Sequence, residues 1–169
     1  MITEKMQGAF LAQINKELYS EYLYLSMKAY FASINLKGFV NWLAIQVQEE
    51  HAHAMGMFDY VIERGGKIIL DKIDKPKNEW SSPLEAFKDV VEHEQYITSQ
   101  INALYDVADS EKDRAAQLFL NWYVKEQVEE EASADDILSH LELIGNDTKA
   151  LLDLDKELSA RVFNPPVIG

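Results

Sequence analysis

The sequence of 169 residues contains no cysteine, which excludes disulfide bonds and metal sites built on thiolates. Glycine and proline are also scarce, with seven and four residues, and most of them lie between segments of helical periodicity. This scarcity, together with a hydrophobic content of 47%, favours an all-α protein. A chain of this length is expected to form one domain, residues 1–169, with a buried core.

Basic residues are few as well. Sixteen Lys and Arg stand against 29 Asp and Glu, so the net charge is −13. Such a surface repels nucleic acid and anionic membranes and attracts cations, and we expect neither nucleic acid nor a membrane as a partner. The N-terminus lacks the basic stretch and apolar run of a signal peptide, and no segment reaches the roughly 18 apolar residues of a spanning helix. These features predict a cytoplasmic location.

Apolar residues recur every three or four positions in five segments. This spacing predicts helices at about residues 4–33, 38–64, 83–108, 113–144 and 147–161. Thr3 and Ser82 are suitable N-caps, and Gly65 and Gly66 suit a helix end.

The connection over residues 65–82 is the only long one in the sequence. Its 18 residues span at most ~59–65 Å when extended, whereas the second helix is about 40 Å long. The connection can therefore cross the full length of a bundle and let the third helix run parallel to the second. We expect a four-helix bundle over about residues 4–144, with a short fifth helix after it.

Each of the four long helices has polar residues in the middle of its apolar stripe, and these are Glu17, Glu50 with His53, Glu94, and Gln127 with Glu130. Within each antiparallel pair, the polar groups lie at about the same distance from the connecting turn, to within about 5 Å of height. Buried charges are usually paired or bound to metal. One such residue could be a core side chain satisfied by a hydrogen bond, but an aligned set indicates a metal site.

Carboxylate and imidazole ligands without thiolate favour iron or manganese. Carboxylates from facing helices, combined with a Glu-x-x-His motif such as Glu50 to His53, suit a di-iron site in the core of a helical bundle. With these motifs the chain resembles the ferritins, specifically the haem-free bacterial ferritins. The resemblance spans nearly the whole sequence and is closest at residues 17–24, 48–53 and 125–131.

The resemblance implies a ferritin-like fold with a ferroxidase centre. Its implied ligands for the first iron are Glu17, Glu50 and His53. The second iron is implied at Glu94 and Glu130, with Glu50 as the bridge and Gln127 as a hydrogen-bonding neighbour. A third iron site is implied at Glu49, Glu126, Glu129 and Glu130, for which the alternative is an ordinary solvated acidic face. Tyr24 and Trp122 match aromatic residues near the centre, which either donate electrons or pack.

Haem is not expected. Bacterioferritins carry a second Glu-x-x-His motif where this chain has Gln127 to Glu130, and their haem-ligating methionine corresponds to Ala52. Met55 and Met57 are interpreted as packing residues. The remaining histidines are interpreted as surface groups or neighbours of the ligands, and they are His51, His93 and His140.

The resemblance implies an iron-storage protein with ferroxidase activity. Fe(II) would be oxidised by O2 or H2O2, and ferric mineral would be deposited in a shell of 24 subunits whose four-fold axes are lined by the fifth helix. Two alternatives stay open. The carboxylates could bind metal only to stabilise a bundle, or the protein could be a small oligomer that activates oxygen for an organic substrate.

Overall fold

The structure is a computed structural model that describes residues 1–168. Its helices are α1 (Glu4–Ser33), α2 (Lys37–Glu63), α3 (Pro83–Ser110), α4 (Arg114–Ile144) and α5 (Thr148–Leu158). The described residues contain no β-strand, so the predicted all-α bundle with a short fifth helix is confirmed. None of the helices in this part of the chain has both the length and the apolar composition needed to cross a bilayer.

The ends of the helices follow from local capping chemistry. Thr3 Oγ1 accepts a hydrogen bond from the Met6 amide at 3.2 Å, and Ser82 Oγ accepts one from the Glu85 amide at 3.1 Å. At the end of α2, Gly65 has a φ of +76°, which glycine adopts without strain. The predicted caps at Thr3 and Ser82 are therefore confirmed.

The fifth helix is shorter than predicted, because it ends at Leu158 and not near residue 161. The Asn41 side-chain amide of α2 donates to the carbonyl oxygens of Leu158 at 3.2 Å and Arg161 at 3.0 Å. These bonds hold the backbone after Leu158 against α2, where it leaves the helical conformation. Sequence periodicity could not show this, because Asn41 lies more than a hundred residues away.

The connection between α2 and α3 crosses the length of the bundle, as predicted. Its first residues lie beside the start of α1, where the Lys67 amide donates to Gln7 Oε1 at 2.8 Å. Its last residues lie beside the end of α1, where the ring centroid of Trp80 is 5.5 Å from that of Tyr30. Helix α3 therefore starts at the same end of the bundle as α2 and runs parallel to it.

The core consists of two apolar clusters with a polar layer between them. One cluster surrounds Phe31, Phe39 and Phe87, at the end where α1 turns into α2. The other surrounds Phe10 and Leu120 at the opposite end. Apart from Gln13, which precedes Ile14 of the second cluster, the buried polar residues lie between these clusters in sequence on every long helix, and they are Glu17, Ser20, Gln46, Glu50, His53, Glu94, Gln127 and Glu130. The apolar clusters thus cover the polar layer on both of its faces along the bundle.

Helix α5 is fixed on the first turn of α2. Asp155 Oδ1 accepts hydrogen bonds from the backbone amides of Gly38 at 2.7 Å and Phe39 at 3.0 Å. Backbone amides in the first turn of a helix have no partner within that helix, and they favour a carboxylate as acceptor. Position 38 requires glycine, because a Cβ there would lie 1.5 Å from the Asp155 carbonyl oxygen.

Candidate metal centre

All four long helices contribute to the polar layer. Glu17 comes from α1, Glu50 and His53 from α2, Glu94 from α3, and Glu130 from α4. Each exposes at most 5% of its surface. The structure therefore places every predicted ligand of the two-iron centre in the interior, at one level of the bundle.

Three of these residues form the tightest group. Glu17, Glu50 and His53 each offer one ligand atom, and these atoms lie within 4.8 Å of one another. His53 Nδ1 is 3.6 Å from Glu50 Oε2, as expected for residues one helical turn apart. His53 Nε2 is buried without a hydrogen-bond partner among the described residues. A bound ion or water is the simplest explanation for a buried polar atom left in this way.

Glu94 and Gln127 meet on the opposite side of the layer. Gln127 Nε2 donates to Glu94 Oε2 at 3.3 Å and to Thr98 Oγ1 at 3.2 Å. The hydroxyl of Tyr24, which is completely buried, donates to Glu94 Oε1. The structure therefore places Gln127 as a hydrogen-bonding neighbour and gives Tyr24 a direct contact with a candidate ligand.

The carboxylates are held close together in a medium that solvates charge poorly. Burial, followed by the charge of Glu130, raises the pKa of Glu94 to about 8. Burial likewise raises the pKa of Glu17 and Glu50, and for Glu50 the next causes are the charges of Glu94 and Glu17. A divalent cation relieves both effects, because it supplies the missing counter-charge and replaces water as the ligand of the oxygens.

Only part of the predicted third site is assembled. Glu126 and Glu130 offer ligand atoms within 4.8 Å of each other and of one in His53. Glu49 lies outside this group, and its Oε2 is instead 2.7 Å from Nη2 of Arg161. Glu129 is exposed. Burial, followed by the charge of Glu130, raises the pKa of Glu49 to about 7.

Two glutamines that we did not single out in the sequence hold the carboxylates in place. Gln13 Nε2 donates to Glu17 Oε1 at 2.7 Å, and Gln46 Nε2 donates to Glu130 Oε2 at 2.9 Å. Both are almost fully buried. A signal was present in the sequence, because Gln13 and Gln46 each precede a candidate ligand, Glu17 or Glu50, by one helical turn.

Aromatic residues close the centre on the α4 side. The ring centroid of Trp122 is 5.4 Å from that of His53, and the Tyr123 hydroxyl donates to the His53 carbonyl oxygen at 2.9 Å. The other histidines lie apart from the candidate ligand groups. His93 contacts Ser20 Oγ at 2.8 Å, and burial lowers its pKa to about 4, whereas His51 and His140 are exposed.

A profile of the family described as Ferritin, the ferritin-like domain, matches residues 8–144, which is most of the chain. The chain belongs to the ferritin family. It is 44% identical over 161 residues to the bacterial non-heme ferritin of Bacteroides fragilis strain 638R, covering 95% of this chain and 100% of that protein. It is 38% identical over 164 residues to the bacterial non-heme ferritin of Staphylococcus epidermidis strain RP62A, covering 97% and 99%.

Solved ferritin structures superpose on this ferritin over nearly its whole length. One, described as a humanized archaeal ferritin, has a TM-score of 0.96 and 60% identity, covering 98% of this chain and 100% of that one. Another, described as a novel open pore ferritin from the hyperthermophilic archaeon Archaeoglobus fulgidus, has a TM-score of 0.94 and 58% identity, covering 96% and 100%. The resemblance to haem-free bacterial ferritins inferred from the sequence is thus confirmed.

The donor set of this ferritin fits iron. The groups that meet in the interior are carboxylate oxygens and one imidazole, which suit first-row divalent ions and exclude metals that require thiolate. The buried glutamines and tyrosine donate to the carboxylates and orient them, as neighbours of metal ligands usually do. Membership of the ferritin family supports iron storage as the general function.

Proposed function

We propose that this ferritin is a ferroxidase that oxidises Fe(II) to Fe(III) in the polar layer and stores the product as ferric mineral. One observation carries the proposal. Four buried carboxylates and a histidine, from four different helices, converge between two apolar clusters without enough basic residues to neutralise them. The substrate is Fe(II), and the proposed oxidant is O2 or H2O2.

The proposed ligands of the first iron are Glu17, Glu50 and His53. Those of the second are Glu94 and Glu130, with Glu50 as the bridge. With O2, two Fe(II) lose one electron each, and O2 takes up both electrons and two protons to give H2O2. H2O2 as oxidant takes up two electrons and two protons to give two molecules of water.

The residues of the chain favour this oxidation in three ways. Anionic carboxylates stabilise Fe(III) more than Fe(II), because the product carries the higher charge. The Tyr24 hydroxyl and the Gln127 amide donate to opposite oxygens of Glu94 and so hold its carboxylate in one orientation. The apolar clusters above and below exclude bulk water, which strengthens each of these charge interactions.

A third iron is proposed at Glu49, Glu126, Glu129 and Glu130, on the α4 side of the centre. The ligand atoms of His53, Glu126 and Glu130 lie within 4.8 Å of one another, which supports a short route between this position and the inner pair. Tyr24 and Trp122 lie beside the proposed ligands Glu94 and His53, and Tyr24 is proposed as an electron donor because its hydroxyl donates to Glu94.

Storage needs a container, and we propose a shell of 24 subunits in the cytoplasm. The match to known ferritins along nearly the whole chain supports this assembly. Large apolar side chains are exposed on the single subunit, among them Leu118 at 72% and Leu143 at 84%, and such residues are typical of subunit interfaces. The walls of the proposed pore at the four-fold axis come from α5.

The test compares aerobic consumption of Fe(II) by the wild-type protein and by the double variant E50A/H53A. The variant is expected to oxidise Fe(II) no faster than buffer alone, because it lacks the bridge and the only imidazole of the centre. The double variant E21A/H51A is the matched control, since His51 Nδ1 is 3.1 Å from Glu21 Oε2 in an exposed pair of the same residue types. This control is expected to retain the wild-type rate.

Two outcomes would contradict the proposal. Oxidation by the wild-type protein at the rate of buffer would favour a bundle that binds metal only for stability. A small oligomer, measured by light scattering and electron microscopy of the full chain, would rule out a storage shell and favour an enzyme that activates oxygen for another substrate.

A further inference from the structure

Arg161 reaches the proposed third iron site from outside the bundle. It follows α5, and its guanidinium lies on α2, with Cζ 5.0 Å from the centroid of the Trp42 ring. Nη2 donates to Glu49 Oε2 at 2.7 Å, and Nη1 donates to the carbonyl oxygen of Trp42 at 3.4 Å. The side chain is 26% exposed, so the pair with Glu49 is largely removed from water.

Arg161 also acts on Glu130 through Gln46. Nη1 of Arg161 donates to Gln46 Oε1, so the carbonyl side of this amide faces the guanidinium. The NH2 side must then face the other way, and it donates to Glu130 Oε2 at 2.9 Å. The guanidinium therefore binds Glu49, one carboxylate of the third site, directly. It also orients Gln46, which donates to Glu130, a second carboxylate of that site.

The direct contact explains why Glu49 does not join the third site. Glu126 and Glu130 lie together with His53, but Glu49 lies outside that group and bonds to Arg161. A cation beside Glu126 and Glu130 would need the Glu49 oxygen that Arg161 now holds. It would also meet the positive charge of the guanidinium at close range.

We propose that Arg161 is a positioning residue that occupies Glu49 in the metal-free protein and competes with the cation of the third site. The inference rests on the third site under the proposed function. The contact lowers the affinity of that site for a cation, so that iron bound there is released again. The two inner positions are not subject to this direct competition, because Arg161 bonds to none of their ligands and reaches Glu130 only through the neutral amide of Gln46.

The test measures binding of Zn²⁺, which has no redox chemistry, to the metal-free shell by isothermal titration calorimetry. The variant R161M keeps an apolar side chain over Trp42 and removes the charge. The third Zn²⁺ per subunit is expected to bind about tenfold more tightly, which is the effect of one charge-assisted hydrogen bond. The two tighter Zn²⁺ sites are expected to keep their wild-type affinity.

Arg64 provides a matched control. Its Nη2 is 2.8 Å from Asp113 Oδ2, its Cζ is 5.3 Å from the Tyr60 ring centroid, and it is 22% exposed. The variant R64M removes an arginine of the same kind near the opposite end of α2 and is expected to leave all three Zn²⁺ affinities unchanged. R161K, which keeps the charge but not the planar fork, is expected to lie between wild type and R161M.

The variant E49Q removes the charge of Glu49 and so tests whether the effect of R161M depends on the pair of Glu49 and Arg161. In that background, R161M is expected to tighten binding of the third Zn²⁺ by clearly less than tenfold, since no charged pair is left to break and only the repulsion between guanidinium and cation is removed. Unchanged or weaker third-site binding in R161M alone would overturn the role of Arg161. Binding of only two Zn²⁺ by both the wild-type protein and R161M would instead refute the third site. Should R161M fail to assemble, R161Q carries the same expectation.

Discussion

Replacing Glu94 by glutamine is expected to stabilise the metal-free protein at alkaline pH. On folding, burial raises the pKa of Glu94 from 4.5 to about 8. The folded state therefore keeps a proton that the unfolded state has lost. This contribution to stability is complete below pH 4.5 and disappears as the pH rises through about 8.

The magnitude follows from proton linkage. For a group with these two pKa values, raising the pH from 6.5 to 8.5 lowers the free energy of unfolding by roughly 2 kcal/mol. Burial also lowers the pKa of His93 from 6.5 to about 4, which gives a slope of opposite sign below pH 6.5. Above pH 6.5, the pH dependence of the free energy of unfolding therefore reports on the buried carboxylates and not on His93. Glu17 and Glu50, whose pKa values burial also raises, add to the loss in the wild-type protein.

The assay is urea unfolding of chelator-treated protein between pH 6.5 and 8.5, at one fixed protein concentration because assembly contributes to stability. The variant E94Q is expected to lose roughly 2 kcal/mol less than wild type across this range. Replacement of the exposed Glu129, as E129Q, controls for the change in net charge and is expected to follow the wild-type curve. Equal slopes for wild type and E94Q, or a wild-type stability that rises with pH, would refute the reasoning.

Two further predictions concern α5 and the buried tyrosine. The variant G38A is expected to lower stability by at least about 2 kcal/mol in thermal unfolding, because a Cβ at this position meets the Asp155 backbone. G8A, at a helical position with open space, is expected to raise it by about 0.5–1 kcal/mol. The variant Y24F removes a donor to Glu94 and is expected to weaken binding of the second Zn²⁺ about tenfold by calorimetry, whereas Y22F, at an exposed tyrosine, leaves it unchanged. An unaltered Zn²⁺ affinity in Y24F would show that its hydroxyl does not orient the ligand.

Much of the bundle could be predicted because helix formation and burial leave a periodic record in the sequence. On α4, every third or fourth residue from Ala116 to Leu141 is buried, and Gln127 and Glu130 occupy two of these positions. The crossover was predictable from its length alone, since few arrangements accommodate so long a connection. The inner carboxylates were predictable for the same reason as the core, because they lie on the same face of each helix.

The hydrogen-bond partners of the buried polar groups were harder to predict from the sequence. Gln13 and Gln46 could have been found one helical turn before Glu17 and Glu50, since that spacing is local. Nothing local connects Gln46 with Glu130, or Asp155 with Gly38, and these contacts exist only because helices distant in sequence pack together.

The sequence by itself determined the helices, their order and the level at which carboxylates and an imidazole enter the core, because each depends on residue spacing along one helix. Only the tertiary structure decided which charged side chains pair with one another. Glu49 was expected to join the other acidic residues of the third site, yet it pairs with Arg161, which is 112 residues away in the chain. A charge in a poorly solvating interior binds whichever opposite charge packing brings within reach, and periodicity carries no information about that neighbour.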